Sequence, residues 1–62
     1  SNMDSITLND NWNIDINETT VELFCGAVFA LSLSYEGDDE LQEAIESLKA
    51  SVVWFMAKTY LS

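Results

Sequence analysis

The cysteine and histidine content most restricts how this chain can become stable. The 62 residues contain one cysteine, Cys25, and no histidine, so neither an internal disulfide nor a common structural zinc site can form. A domain of this length buries only about 60% of the surface that its unfolded chain exposes. The core of such a domain rarely supplies more than roughly 3–5 kcal/mol of net stability. We therefore expect a single domain, residues 1–62, that gains further stability by self-association.

The charge of the chain limits its partners. Eleven acidic residues and two lysines give a formal net charge of −9 at pH 7. Lys and Arg side chains are what bind phosphate backbones and anionic membrane surfaces, so we predict neither direct nucleic-acid binding nor membrane association. The longest uncharged run, Leu23–Tyr35, is shorter than the roughly 20 residues of a membrane span. A charged partner would be a basic protein, although net negative charge also serves solubility alone.

The first residues carry no targeting pattern. Ser1 and Asn2 are interpreted as a tag remnant before an initiator methionine, Met3, and no positively charged region of a signal peptide follows. The lone Cys25 lies in the uncharged run, as a reduced and buried thiol would. We therefore expect a cytoplasmic protein.

Residues 4–16 have the alternation of a half-buried strand. Asn9-Asp10-Asn11 interrupts it with turn formers. A three-residue loop there pairs Ile6 with Ile14 and keeps all the apolar side chains on one face. The pattern predicts a β-hairpin over residues 4–16, with one long bent strand as the alternative. The alternating apolar residues are Ile6, Leu8, Trp12, Ile14 and Ile16.

The next segment is predicted to be a helix, helix 1, over residues 19–35. Thr19 and Glu22 have the spacing of a capping box, and Gly37 would end the helix. Apolar residues lie on every side of this helix, which is typical of a helix buried all round. Gly26, Ala30 and Ser34 recur every four residues, a spacing that lets another backbone approach closely but that also arises incidentally.

A second helix is predicted over residues 38–61, because carboxylates occupy its first turn and no Gly or Pro interrupts it. One apolar line has alternating spacings of four and three, which favours antiparallel packing on helix 1. The expected fold is α+β and mostly helical. It has an N-terminal β-hairpin followed by an antiparallel two-helix hairpin, completed by oligomerisation. The apolar line comprises Leu41, Ile45, Leu48, Val52, Phe55 and Thr59.

The C-terminal half of the second helix is also apolar on the side opposite this line. A patch centred on Trp54 is typical of an association surface, and the alternative is that Trp54 folds under the hairpin of its own chain. A homodimer is favoured because two-fold symmetry is the commonest, and the hairpin edges could pair across the axis into a four-stranded sheet. The predicted self-association interface comprises Gly26, Ala30, Ser34, Ala50, Val53, Trp54, Ala57 and Leu61.

The sequence offers little catalytic chemistry. General acid–base catalysis most often uses His, which is absent. A nucleophilic Cys25 would need an electropositive setting, whereas its neighbours are apolar. Lys49 and Lys58 are interpreted as solvated surface residues. We predict that the chain is not an enzyme and holds no cofactor.

The oxygen side chains raise the question of a site for a hard cation such as Ca²⁺ or Mg²⁺. Residues 11–22 place oxygen side chains at the spacing of a calcium-binding loop, but Ile16 stands where that loop needs Gly. An alternating strand explains the same spacing without a metal. The carboxylates that open the second helix suit the helix dipole. We therefore predict no metal site, either at residues 11–22 or at Asp38, Asp39, Glu40 and Glu43.

Two functional hypotheses follow from these observations. The first is a small acidic oligomeric interaction or accessory protein without catalytic activity. The alternative is an acidic mimic of nucleic acid that inhibits a basic DNA- or RNA-binding protein, as small acidic phage and mobile-element proteins do. The first is favoured because the carboxylates cluster near one helix turn rather than following phosphate spacing. The predicted acidic partner surface comprises Glu36, Asp38, Asp39, Glu40, Glu43 and Glu46.

Overall fold

The protein is a four-stranded antiparallel sheet with one long helix on one face. The computed structural model describes residues 4–9 and 11–61, with side chains up to residue 58. Each strand pairs with its neighbour in the chain, in the order β1-β2-β3-β4. Sheet and helix make two layers around one core. The elements are β1 Asp4–Thr7, β2 Trp12–Ile16, β3 Thr20–Cys25, β4 Val28–Ser34 and α1 Gly37–Leu61.

The first hairpin has the predicted register. Ile6 of β1 pairs with Ile14 of β2, so their side chains share one face. The side-chain oxygen of Asn9 accepts hydrogen bonds from the amides of Asn11 and Trp12, at 2.9 and 3.0 Å. An asparagine that bonds its own following backbone is a common way to form a turn. β1 and β2 therefore form a hairpin, as predicted, and not one long bent strand.

The prediction of a helix over residues 19–35 is wrong, because this segment forms β3 and β4. The two strands are joined by Gly26 and Ala27, and Cys25 pairs with Val28 across the turn. Gly26 has a φ of 61°, and no described residue other than glycine has a positive φ. Glycine at the first central position matches a type II′ turn, whose twist suits two-residue hairpins.

The segment forms strands because inward-facing and outward-facing side chains alternate with a period of two on both sides of the turn. Val21 and Leu23 are fully buried, and Glu22 between them points to the other face. In β4, Ser32 and Ser34 alternate with leucines in the same way. β-branched and aromatic residues, which fit a pleated surface, are frequent in this segment. The side chains that β3 and β4 direct toward α1 include Val21, Leu23, Leu31 and Leu33.

The predicted capping box is replaced by a turn between β2 and β3. The amide of Asn17 donates to the carbonyl of Thr20 at 2.8 Å, and its side-chain amide donates to the carboxylate of Glu22 at 2.9 Å. The amide of Tyr35 donates to the carbonyl of Thr19 at 3.0 Å, and the Tyr35 hydroxyl donates to the carbonyl of Asn17. Tyr35 therefore ties the end of β4 to the β2–β3 turn.

The predicted two-helix hairpin is consequently also wrong, since only one helix is present in the described part of the chain. That helix, α1, covers the segment 38–61 predicted as the second helix. Gly37 does not end a helix but begins α1, with a φ of 79° that turns the chain out of β4. The carboxylate of Glu40 accepts from the amide of Glu36 at 3.0 Å, which satisfies one donor at the helix start.

The apolar line of α1 faces the core, but its partner is the sheet and not a second helix. Leu48 is fully buried, and Leu41 and Phe55 are partly buried at the two ends of the line. Full burial of one such side chain contributes about 1.5–3 kcal/mol. Thr59, the last residue of the predicted apolar line, lies outside the described side chains. Ser1, Asn2 and Asp10 lie outside the described residues. The buried core comprises Ile14, Val21, Leu23, Ala44, Ile45, Leu48 and Val52.

Helix α1 lies off the centre of the sheet. In the described part of the chain its backbone is close to β2, β3 and β4, but not to β1. The helix has 25 residues, which corresponds to about 37 Å. The longest strand has seven residues, or about 23 Å. The last turns of α1 therefore extend past the end of the sheet.

Candidate interaction surface

The edge strand β4 and the side of α1 that faces it border one strip of surface. Near the start of the helix this strip includes an open depression of about 260 Å³. Because β4 is an edge strand, the strip is open to solvent on its outer side. This surface is called the β4–α1 groove below. The depression is lined by Leu33 and Ser34 of β4 and by Glu40, Glu43, Ala44 and Ser47 of α1.

One line of residues on α1 follows this groove along the whole helix. Glu40, Ala44 and Ser47 line the depression. Residues three and four apart share one side of a helix, so Ser51, Trp54 and Lys58 lie on the same side. Trp54 is 58% exposed. The groove line therefore comprises Glu40, Ala44, Ser47, Ser51, Trp54 and Lys58.

The far end of the groove is apolar. The ring of Trp12 stacks on that of Phe55 at 5.6 Å, and Trp12 pairs in register with Cys25, which pairs with Val28. This row places Val28 on the helix side of the sheet, at the level of Phe55. Val28 is 68% exposed, and Trp54 precedes Phe55 on the side of α1 that faces β4. Both apolar side chains therefore border the same end of the groove.

The two ends of the groove carry opposite charge. Glu40 and Glu43 lie at the depression. At the apolar end the Lys58 ammonium lies 4.9 Å from the centre of the Trp54 ring, within the range of a cation–π interaction. Residues 47–62 contain two lysines and no acidic residue, and β4 has no charged residue. The groove is thus acidic at one end, neutral in the middle and basic at the other end.

The opposite face of the sheet is more polar. Asp15 and Glu22 are register partners in the middle of it, an arrangement of like charges that is unfavourable in a sheet. Phe24 and Phe29 contact edge to face at 5.8 Å near the β3–β4 turn. Phe29 is an exposed residue of β4. The turn end of β4 therefore presents apolar side chains on both faces, Val28 on one and Phe29 on the other.

The predicted interface residues are separated by the fold into two groups. The small residues do not form a row on a helix: Gly26 is in the β3–β4 turn, Ala30 is an extra residue at a bulge in β4, and Ser34 ends β4 at the depression. Trp54 does not fold under the hairpin, because Phe55 stacks there on Trp12. The helical group lies exposed on α1 and comprises Ala50, Val53, Trp54 and Ala57, with the side chain of Leu61 outside the described ones.

The predicted acidic partner surface lies at the start of α1. All of its residues are exposed, and the Lys49 ammonium contacts the Glu46 carboxylate at 3.2 Å. Residues 11–22, weighed as a calcium loop, form β2, a turn and the start of β3. Among the described residues no group of three or more potential ligand side chains is placed to hold a metal. The acidic surface comprises Glu36, Asp38, Asp39, Glu40, Glu43 and Glu46.

Sequence reasoning missed part of the groove, namely Val28, Leu33 and the side of α1 around Ser51. The sequence pattern predicts a buried helix for the β4 residues and therefore does not predict their exposure. Two signals could have identified them. A glycine between apolar residues at Cys25-Gly26-Ala27-Val28 is compatible with a two-residue hairpin turn, and the alternation after Ala30 has the period of a strand.

Comparison with protein-family models, with curated proteins and with solved structures found no match for this chain. Among residues 4–9 and 11–61, no helix combines the length and the apolar character that crossing a membrane requires. The β4–α1 groove and its chemistry are therefore the features that bear on function.

Proposed function

We propose that this chain is a small acidic interaction protein that self-associates and has no catalytic activity. The observation that carries the proposal is the exposed Trp54 in a groove beside an uncharged edge strand. Tryptophan is enriched among the residues that dominate binding energy at interfaces. Its exposure in a single copy is therefore best explained by a partner that covers it.

The edge strand β4 supports a second copy as that partner. Edge strands carry unpaired backbone donors and acceptors, and proteins usually protect them with charges, proline, bulges or very short length. β4 has seven residues without charge or proline, and its only such protection is the bulge at Ala30. A strand with little net charge is compatible with an identical strand, whereas most of this chain repels its own copy.

The exposed apolar side chains add to this argument. Most of them lie near the β3–β4 turn and the adjacent turns of α1, where the described residues include no acidic side chain. Self-association there buries apolar surface without bringing carboxylates together. The large exposed apolar residues are Val28, Phe29, Val53, Trp54 and Met56.

Sedimentation equilibrium over a dilution series tests the proposal. We expect a dimer that dissociates on dilution, with the dissociation constant raised about 30-fold in Trp54→Ala, which corresponds to about 2 kcal/mol for a residue at an interface centre. Met56→Ala is the matched control, because Met56 is also exposed but points about 200° away from Trp54 around the helix. It should change the constant less than about threefold.

A monomer at every concentration would contradict self-association. Equal effects of Trp54→Ala and Met56→Ala would instead show that the groove is not the interface. Circular dichroism of each variant separates loss of association from loss of the fold, since both substitutions remove an exposed side chain of a helix.

The lack of catalytic activity and a cytoplasmic location are part of the same proposal. The chain has no histidine, and Cys25 is a half-buried thiol in an apolar row. A cysteine of this kind usually behaves as a small apolar residue. It also suits a reducing compartment, where free thiols are maintained.

The acidic surface at the start of α1 favours a second candidate function, the binding of a basic protein. Its six carboxylates are all exposed, and Lys49 contacts only one of them, Glu46. Titration with poly-lysine at two salt concentrations tests this candidate. We expect salt-sensitive binding that is weakened in a variant with Asp38→Asn, Asp39→Asn and Glu43→Gln. Unchanged binding by that variant would exclude this surface.

A further inference from the structure

We infer that a second copy lies beside β4 across a two-fold axis, with its helix α1 antiparallel to the first and its β4 edge adjacent. This inference rests on the proposed self-association and adds which faces meet. In a two-fold interface, each contact between a residue and its partner's residue occurs twice. The groove must therefore be complementary to itself in reverse order.

The groove line has this property. When the line is paired with its own reverse, each pair is opposite in charge, complementary in size or identical. Glu40 would face the partner's Lys58, and small Ala44 would face the bulky Trp54 of the partner subunit. The two serines, Ser47 and Ser51, would face each other nearest the axis. Opposite charges meet at both ends of the interface, although the whole chain carries a net charge of −9.

The level of β4 along the helix supports the same axis. Leu33 and Ser34 line the depression together with residues 40–47 of α1. The middle of β4 is Leu31, about 8 Å further along the strand. Because α1 runs antiparallel to β4, this distance corresponds to about five or six helical residues and ends near Lys49. That position is also the midpoint of the groove line, so one axis can serve both elements.

The spacing across the axis agrees with the side chains that are present. Adjacent β4 strands would separate the two copies of β3 by three strand spacings, about 14 Å, and α1 lies over β3 with β2 and β4 on either side. Helices in direct contact are 8–10 Å apart, so only long side chains would bridge this distance. Trp54, Lys58 and Glu40 are long enough, and the serines leave room for water.

A charge-swap experiment, measured by sedimentation equilibrium, tests this arrangement of the two copies. Glu40→Lys and Lys58→Glu should each raise the dissociation constant about tenfold, because each homodimer then contains two like-charged pairs. When the two variants are mixed, both pairs become attractive again. The mixture should form a heterodimer with a dissociation constant within about threefold of the original.

The matched control is the swap of Glu46→Lys and Lys49→Glu, which changes the same charges within an ion pair of one chain on another side of α1. It should leave association unchanged, alone or mixed. If the wild-type chain dimerises but the Glu40 and Lys58 variants are indistinguishable from it, the arrangement is overturned and self-association stands. If both variants weaken and mixing restores nothing, the Glu40–Lys58 pairing is likewise overturned. A monomeric wild-type chain would overturn both proposals.

Discussion

The two edges of the sheet differ in how they meet solvent. β1, Asp4–Thr7, has four residues and begins with a carboxylate. β4, Val28–Ser34, has seven residues and no charge. Shortness and charge are two of the ways in which proteins prevent an edge from pairing with another chain. One sheet therefore has a protected edge and an edge that remains available, and the proposed self-association uses the available one.

The position of α1 adds to this difference. Its backbone is close to β4 but, in the described part of the chain, not to β1. The described helix backbone therefore lies over the β4 side of the sheet and not over β1. The available edge belongs to the better-supported side of the sheet, so a partner there would bind a preformed surface.

The largest expected effect is on the free energy of unfolding and tests how far α1 stabilises each edge. Ile6 of β1 and Leu31 of β4 are at opposite ends of one cross-strand row, and both are half-buried. We expect Leu31→Ala to lower the free energy of unfolding by about 2–3 kcal/mol and Ile6→Ala by about 1–1.5 kcal/mol, because only the first leaves a cavity beneath the helix.

Urea denaturation measures both values. The two substitutions are best compared in a Trp54→Ala background, so that self-association does not contribute to the free energy of unfolding. Equal losses would show that α1 supports both edges alike and that the difference between them lies only in sequence.

A smaller effect is expected when a lysine is placed on either edge. Ser5 of β1 and Ser32 of β4 are both exposed, and their register partners are acidic, Asp15 and Glu22. Ser32→Lys should raise the dissociation constant about tenfold, or 1.4 kcal/mol. The reason is that the two introduced charges would lie about 7–8 Å apart across the axis. Ser5→Lys should change it less than about threefold.

Light scattering across a dilution series at low and high salt checks this pair of variants. Salt should restore part of the association of Ser32→Lys, since exposed charges are screened. Both variants reduce the net negative charge equally, so a general charge effect would affect them alike. A greater effect of Ser5→Lys would assign the interface to β1.

The two edges also differ in how far sequence alone predicts them. β1 and its partner were found because Asn9-Asp10-Asn11 combines three turn formers with an alternating pattern of consistent parity. The helix α1 was found because its apolar line is long and uninterrupted. In both cases the pattern repeats over enough residues to exclude the other period.

β3 and β4 were missed because apolar residues occupy both faces in the middle of the segment. Phe24 and Phe29 point away from the helix, so the strand alternation breaks next to the turn. Ala30 at the bulge shifts its phase once more. A short apolar run of this kind fits a buried helix as well as a strand. The groove could not be predicted either, since it exists only when β4 lies beside α1. Trp54 alone could be identified from the sequence as an exposed interface residue.

The smallest expected effects concern the turns that produce the two edges. Gly26 begins the turn into β4 with a φ of 61°, and a Cβ there would meet no atom within 4 Å. Gly26→Ala should therefore lower the free energy of unfolding by about 1 kcal/mol through backbone conformation alone. Asn9→Ala should cost about 0.5–1 kcal/mol, because solvent replaces the acceptor of two exposed amides.

Urea denaturation of the two turn variants measures these costs, and sedimentation measures what they do to association. Asn9→Asp is the control for the first turn, because it keeps an acceptor oxygen for the amides of Asn11 and Trp12. Only Gly26→Ala should also weaken the proposed dimer, since it alters the start of β4, the strand at the proposed interface. If Asn9→Ala weakened the dimer as much, the two edges would not be independent. The contact from the Gly26 amide to the Asn11 carbonyl, 2.7 Å long, would then be the route that connects them.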